Sequence, residues 1–187
     1  KYKALEGVGR EVDDECSIAA YDALRAGHKP IMYFYEKDQY QLDGVTLLYD
    51  NDFMDMQVVP ELGELRLEKS SVKGLGLKFL AFQWIWGDPV DNYCAYDLSN
   101  VRFGQKAAYN LLNPCSTEKE ILEVLISEFK RLYPEPFEYT DCHGEDHTEV
   151  TWFDMLQMYW TLAYMKRSAD DDSSFIQFAA ERGVYVN

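Results

Sequence analysis

Apolar side chains recur at helical spacing near the start of the chain and again over its second half. In residues 11–26, Val12, Cys16, Ala19 and neighbouring alanines follow the i, i+3, i+4 spacing of an amphipathic helix. Acidic residues crowd the start of this segment, where the helix dipole favours negative charge, and Gly27 suits its end. The pattern predicts a first helix over residues 11–26.

The middle third of the chain is typical of short strands separated by turns. Apolar or alternating runs occupy residues 31–35, 45–49, 57–59, 65–68, 75–86 and 93–98. The dipeptide Asp43-Gly44 predicts a hairpin that joins residues 40–42 to residues 45–49. The run from Leu75 to Trp86 is the most strand-like of all. These segments together predict a mostly antiparallel, twisted sheet in the middle of the chain.

Helical patterns dominate the last half of the chain. They cover residues 105–112, 117–133, 151–166 and 174–182. Thr117 with Glu120 has the spacing of a capping box, and Thr151 with Asp154 forms a similar helix start. The order of helix, sheet and helices predicts a single α+β domain over residues 1–187, with an N-terminal helix and a helical C-terminal half.

The predicted helix from Trp152 to Met165 is apolar over much of its circumference. Such a helix is either largely buried within its own domain or lies at an interface. The sequence therefore leaves open a homo-oligomer that forms through this helix.

The net charge of the chain limits the kinds of partner that we expect it to bind. The 187 residues include 33 acidic and 18 basic side chains, which gives a net charge of −15, and 47 % of the residues are hydrophobic. This composition is typical of a folded chain, and it argues against direct binding to nucleic acid or to an anionic membrane. The four cysteines form no CxxC pair. We expect them to be reduced and the protein to be cytoplasmic.

The acidic residues occur in groups along the chain, which predicts a negative surface that binds a basic protein. We expect the partner to be a nucleic-acid-binding protein, a defence nuclease or a toxin. The protein would then sequester or inhibit it without being an enzyme, in the manner of an immunity protein or a DNA mimic. Aromatic side chains on the predicted strands, such as Tyr33, either fill the core or contribute to this binding surface. The acidic residues predicted to contact the partner are Asp50, Asp52, Asp55, Asp170, Asp171 and Asp172.

An alternative function is a metal-dependent hydrolase that uses the segment from Cys142 to Glu149. His143 and His147 are four residues apart and could bind zinc together with Cys142 or Glu145. Asp146 or Glu149 would then act on a water molecule. The segment contains Gly144 and lacks the HExxH pattern, so the competing interpretation is a solvated polar loop. No cofactor is expected under the leading hypothesis, and zinc only under this alternative.

Overall fold

The computed structural model describes residues 10–34, 36–49, 56–69, 71–96, 98–99, 101 and 103–186. The helices are α1 (Val12–Arg25), α2 (Gly76–Trp86), α3 (Gln105–Leu112), α4 (Glu118–Leu132), α5 (Trp152–Ala163) and α6 (Phe175–Glu181). The strands are β1 (Ile31–Phe34), β2 (Thr46–Tyr49), β3 (Met56–Val58), β4 (Glu64–Glu68), β5 (Ser71–Leu75), β6 (Phe137–Thr140) and β7 (Asp146–Val150). This mixture of helices and small sheets confirms the predicted α+β class.

The strands form three small sheets instead of one continuous sheet. The pairs β2–β3, β4–β5 and β6–β7 are antiparallel, whereas β1 and β2 run parallel. The predicted hairpin at Asp43-Gly44 is therefore wrong, because the chain enters a 3₁₀ helix (Lys37–Gln41) between β1 and β2. Leu42 and Val45, on either side of the turn, are both fully buried. Their burial holds the chain against the core and outweighs the local hairpin preference.

The strand predicted over residues 75–86 is wrong, since α2 occupies nearly all of it. Ten of the eleven residues of α2 are buried, so the helix has no polar face from which a helical period could be recognised. The strand predicted over residues 93–98 is also wrong for its described residues. Tyr93 makes an isolated β-bridge to Asp88, and Ala95, Tyr96 and Leu98 lie in turns.

The helices predicted for the N-terminus and the C-terminal half are confirmed as α1, α3, α4, α5 and α6. Both capping boxes form: the Thr117 and Thr151 side chains accept from the backbone N–H groups of Glu120 and Asp154. Helix α5 packs against α2 and α4, which accounts for much of its apolar circumference. Leu162 remains 55 % exposed on α5, and a homo-oligomer through this helix stays a prediction.

The larger of two core clusters is built mainly by buried residues of α2, α3, α4, α5 and α6. The smaller cluster supports the sheet β1–β2–β3. It contains Tyr21 of α1, Leu47 of β2 and Met165 after α5. The buried Gln41 side chain connects the 3₁₀ helix to the end of α5 through two hydrogen bonds. Its Nε2 donates to the Ala163 carbonyl at 2.9 Å, and its Oε1 accepts from the Met165 N–H at 3.1 Å. Leu47 of β2 faces this core cluster, so the neighbouring residues Thr46 and Leu48 are on the outward side of the sheet, while all three residues of β3 are exposed.

Candidate functional sites

The outward side of the sheet β1–β2–β3 is apolar. Side chains along a strand alternate between its two faces, so the register aligns Ile31 with Thr46 and Val58 in one row. The adjacent row on the same side contains Tyr33, Leu48 and Met56. We call these six residues the sheet face: Ile31, Tyr33, Thr46, Leu48, Met56 and Val58.

Four members of the sheet face are strongly exposed. The exposed fraction is 60 % for Ile31, 55 % for Tyr33, 61 % for Met56 and 59 % for Val58. Single exposed apolar residues are common on protein surfaces, but a contiguous group marks an interaction site. Sequence patterning predicted strands here but could not show which side faces solvent.

Three of the predicted partner-binding residues, Asp50, Asp52 and Asp55, lie outside the described residues. In the sequence they separate β2 from β3, the strands that supply four of the six residues of the sheet face.

The other three predicted partner-binding residues follow α5, and the structure gives them unequal roles. The Asp171 carboxylate accepts hydrogen bonds from the Tyr164 hydroxyl, the Arg167 N–H and the Ser173 N–H, each at 2.9 Å. It therefore stabilises its own loop. Asp170 and Asp172 are exposed, although Asp172 also accepts from the Ser174 N–H at 3.0 Å.

All three aspartates line a cleft that also contains basic side chains. Arg25, Arg167 and Arg182 contribute to the lining. The positive charges of these arginines partly balance the negative charges of the aspartates and of Glu181, which also lines the cleft. The loop therefore offers a weaker negative field than its sequence predicts. Binding of a basic partner by Asp170, Asp171 and Asp172 stays a prediction.

The segment from Cys142 to Glu149 is the tip and second strand of the hairpin β6–β7, where the competing interpretation expected a loop. Asp141 organises the tip: its Oδ1 accepts from the N–H groups of His143 and Glu145 at 2.9 Å, and its Oδ2 lies 3.1 Å from His147 Nε2. Within the described ranges, the four proposed zinc ligands do not bring three ligand atoms within 4.8 Å of one another. The zinc hydrolase stays a prediction without this geometric support.

We expect the Asp141 carboxyl to titrate at an unusually low pH. The hydrogen bond with His147 and those from the backbone stabilise the ionised form and lower its pKa to about 2. An NMR titration of the side-chain carboxyl should show this midpoint, and His147→Phe should move it upward toward the ordinary aspartate range. Thr148→Ala is the control and should leave the midpoint unchanged. A midpoint in the ordinary range for the unmodified protein would contradict the hairpin geometry.

A second acidic group is assembled by the fold. Asp38 belongs to the 3₁₀ helix, whereas Asp88 and Asp91 belong to the turn after α2. One carboxylate oxygen from each lies within 4.8 Å of the others, and among the described residues this is the only such group of potential metal ligands. We call these three residues the aspartate site. Sequence reasoning missed it because no local motif connects residue 38 with residues 88 and 91.

The carboxylates of the aspartate site differ in environment. Burial raises the pKa of Asp38, and burial together with the charges of Asp88 and Asp38 raises the pKa of Asp91. Burial also acts to raise the pKa of Asp88, but the Lys37 ammonium and the Val90 N–H stabilise its ionised form and leave its pKa below the ordinary value. The site thus concentrates negative charge that Lys37 balances only in part.

Comparison with known protein families, with curated proteins and with solved structures found no match for this chain. No helix in the described part of the chain has the length and hydropathy that a bilayer span requires.

Proposed function

We propose that this protein binds a basic protein partner, with the sheet face as the centre of the contact. The observation that carries the proposal is the contiguous exposure of Ile31, Tyr33, Met56 and Val58 on one side of a small sheet. Interfaces combine an apolar, desolvated centre with a polar and charged rim. The sheet face would supply the centre.

The net charge of −15 supports a partner of opposite sign. Complementary charge accelerates the encounter of two proteins and makes it dependent on salt. Asp50, Asp52 and Asp55 lie between β2 and β3 in the sequence, and we propose that they contact basic side chains of the partner. Binding of this kind would cover a basic surface of the partner, which is how the protein would sequester or inhibit it.

The double variant Met56→Ser/Val58→Ser should weaken the complex about tenfold or more. Each substitution removes an apolar side chain that the complex would desolvate, and about 1.4 kcal/mol corresponds to a factor of ten. The measurement starts with affinity capture from source-cell extract. The captured protein is then purified and titrated against both forms by calorimetry at low and high salt.

The matched control is Val12→Ser/Leu162→Ser, which changes two apolar residues of similar exposure, 67 % and 55 %, outside the sheet face. We expect this control to bind the purified partner normally and the complex to weaken at high salt. Equal binding by both double variants would overturn the assignment of the sheet face. If the captured partner is not basic, the electrostatic part of the proposal is wrong. If the protein instead binds a second copy of itself through the sheet face, the proposal of a different protein as partner is wrong.

A further inference from the structure

The aspartate site is built on a fixed turn. The Asp88 N–H donates to the Tyr93 carbonyl at 2.9 Å, and the Tyr93 N–H donates to the Asp88 carbonyl at 3.1 Å. The Asp88 side chain is 1 % exposed, and its Oδ1 accepts from the Val90 N–H at 2.9 Å. Asp38 approaches from the 3₁₀ helix, which packs against α2. The three carboxylates therefore come from two elements with a defined mutual position.

The ligand type and the irregular origin of the carboxylates fit calcium. One carboxylate oxygen from each aspartate lies within 4.8 Å of the others, which is close enough for a single cation to contact all three. Calcium takes six to eight oxygen ligands at about 2.3–2.6 Å in a flexible geometry, whereas magnesium requires a nearly ideal octahedron at about 2.0–2.1 Å. Carboxylates that come from two separate elements suit the flexible geometry of calcium.

An independent observation at the same place comes from Gln83 of α2. This residue is only 3 % exposed, and its Nε2 donates to the Asp38 carboxylate. Its Oε1 is buried and has no hydrogen-bond partner within the described part of the chain. Both atoms belong to one carboxamide, whose nitrogen contacts Asp38 of the aspartate site. Leaving such an oxygen unsatisfied is unfavourable, and amide oxygens are ordinary calcium ligands.

The charge of the aspartate site also fits a divalent cation. Three carboxylates face one ammonium group, that of Lys37, which forms an ion pair with Asp88. The ionised site has two negative charges in excess, and like charges at this distance repel one another. The Lys37 side chain is 41 % exposed and can move toward solvent when another cation enters.

We propose that Asp38, Asp88 and Asp91 bind a calcium ion, with the Gln83 side-chain oxygen as an additional ligand or as the acceptor for a bound water. This site is independent of the sheet face and of the proposed partner. Its failure would leave the proposed function unchanged.

Calorimetric titration of the chelator-treated full chain with CaCl₂ tests the proposal. We expect saturable 1:1 binding at or below about 1 mM, the range of weak natural calcium sites. Asp91→Asn should weaken binding at least tenfold while it relieves carboxylate repulsion and preserves the fold. Asp170→Asn removes the same charge from an exposed loop and should bind calcium as the unmodified protein does. Gln83→Met, which keeps a long buried side chain, should weaken binding without removing it.

Terbium provides a second measurement that reports location. Bound Tb³⁺ should be sensitised by Tyr93, which follows the turn that carries Asp88 and Asp91, and CaCl₂ should displace it. Absence of saturable calcium binding would overturn the proposal. Equal weakening by Asp91→Asn and Asp170→Asn would also overturn it, because the cation would then be attracted by overall charge. Tighter binding of MgCl₂ than of CaCl₂ would contradict the assignment of the site to calcium.

Discussion

Trp84→Ala should lower the free energy of unfolding by about 3–5 kcal/mol, the range for aromatic residues truncated in a packed core. Trp84 is fully buried and belongs to the larger of the two core clusters, which contains residues of α2, α4, α5 and α6. Its ring centroid lies 5.0 Å from those of Trp160 and Phe175 and 5.6 Å from that of Phe129. The substitution leaves a cavity among residues from α2, α4, α5 and α6. Urea denaturation followed by circular dichroism measures the change.

Two further variants make this result interpretable. Trp84→Phe retains an aromatic ring but loses the Nε1 hydrogen bond to the Leu156 carbonyl, which spans 3.2 Å, so its loss of stability should be smaller. Leu162→Ala changes an exposed residue of α5 and should alter the free energy of unfolding by less than about 0.5 kcal/mol. If Trp84→Ala cost no more than Leu162→Ala, this residue would not be central to the core.

The helices with local end signals could be predicted from sequence. Thr117 and Glu120, like Thr151 and Asp154, are three residues apart, and both pairs satisfy backbone groups at the helix start without help from the rest of the fold. In α1 and α4 the regular spacing of apolar residues also indicates a helix, and this signal extends along the whole element. Where residues within one helical turn of each other determine the local structure, that structure can be predicted from the sequence.

Helix α2 could not be recognised in this way because its environment decides its conformation. An apolar run that is buried on every side has neither the alternation of a strand nor the polar face of a surface helix. Its first N–H groups are satisfied by remote carbonyls: Leu77 donates to Glu61 and Lys78 donates to Leu62, both at 3.0 Å. Such a start leaves no capping residue in the sequence next to the helix.

Both candidate sites consist of residues that are brought together only by the tertiary structure. The sheet face requires the parallel pairing of β1 and β2, which the Asp43-Gly44 turn signal did not predict. The aspartate site requires the 3₁₀ helix to pack beside the turn after α2. Sequence patterning instead favoured acidic residues that are close along the chain, such as Asp170, Asp171 and Asp172, although the Asp171 carboxylate mainly stabilises its own loop.

Gly63→Ala should destabilise the protein strongly, by about 3 kcal/mol or more, because two unfavourable effects coincide. Gly63 has φ +73°, a conformation that costs other residues about 1–2 kcal/mol. A Cβ at this position would also lie 1.7 Å from the Leu75 carbonyl oxygen and 2.8 Å from the Gly76 Cα. These are backbone atoms, so no side-chain rotation relieves the clash. The measurement is the free energy of unfolding in urea.

Gly27→Ala separates the two effects. Gly27 has φ +77°, close to that of Gly63, but a Cβ there meets no atom of the described residues within 4 Å. This control should lose only the conformational contribution of about 1–2 kcal/mol. The difference between the two variants then measures how closely the chain before β4 approaches the start of α2, where Glu61 and Leu62 accept from the helix. Equal losses for Gly27→Ala and Gly63→Ala would mean that this close backbone approach, and with it the observed start of α2, does not exist in solution.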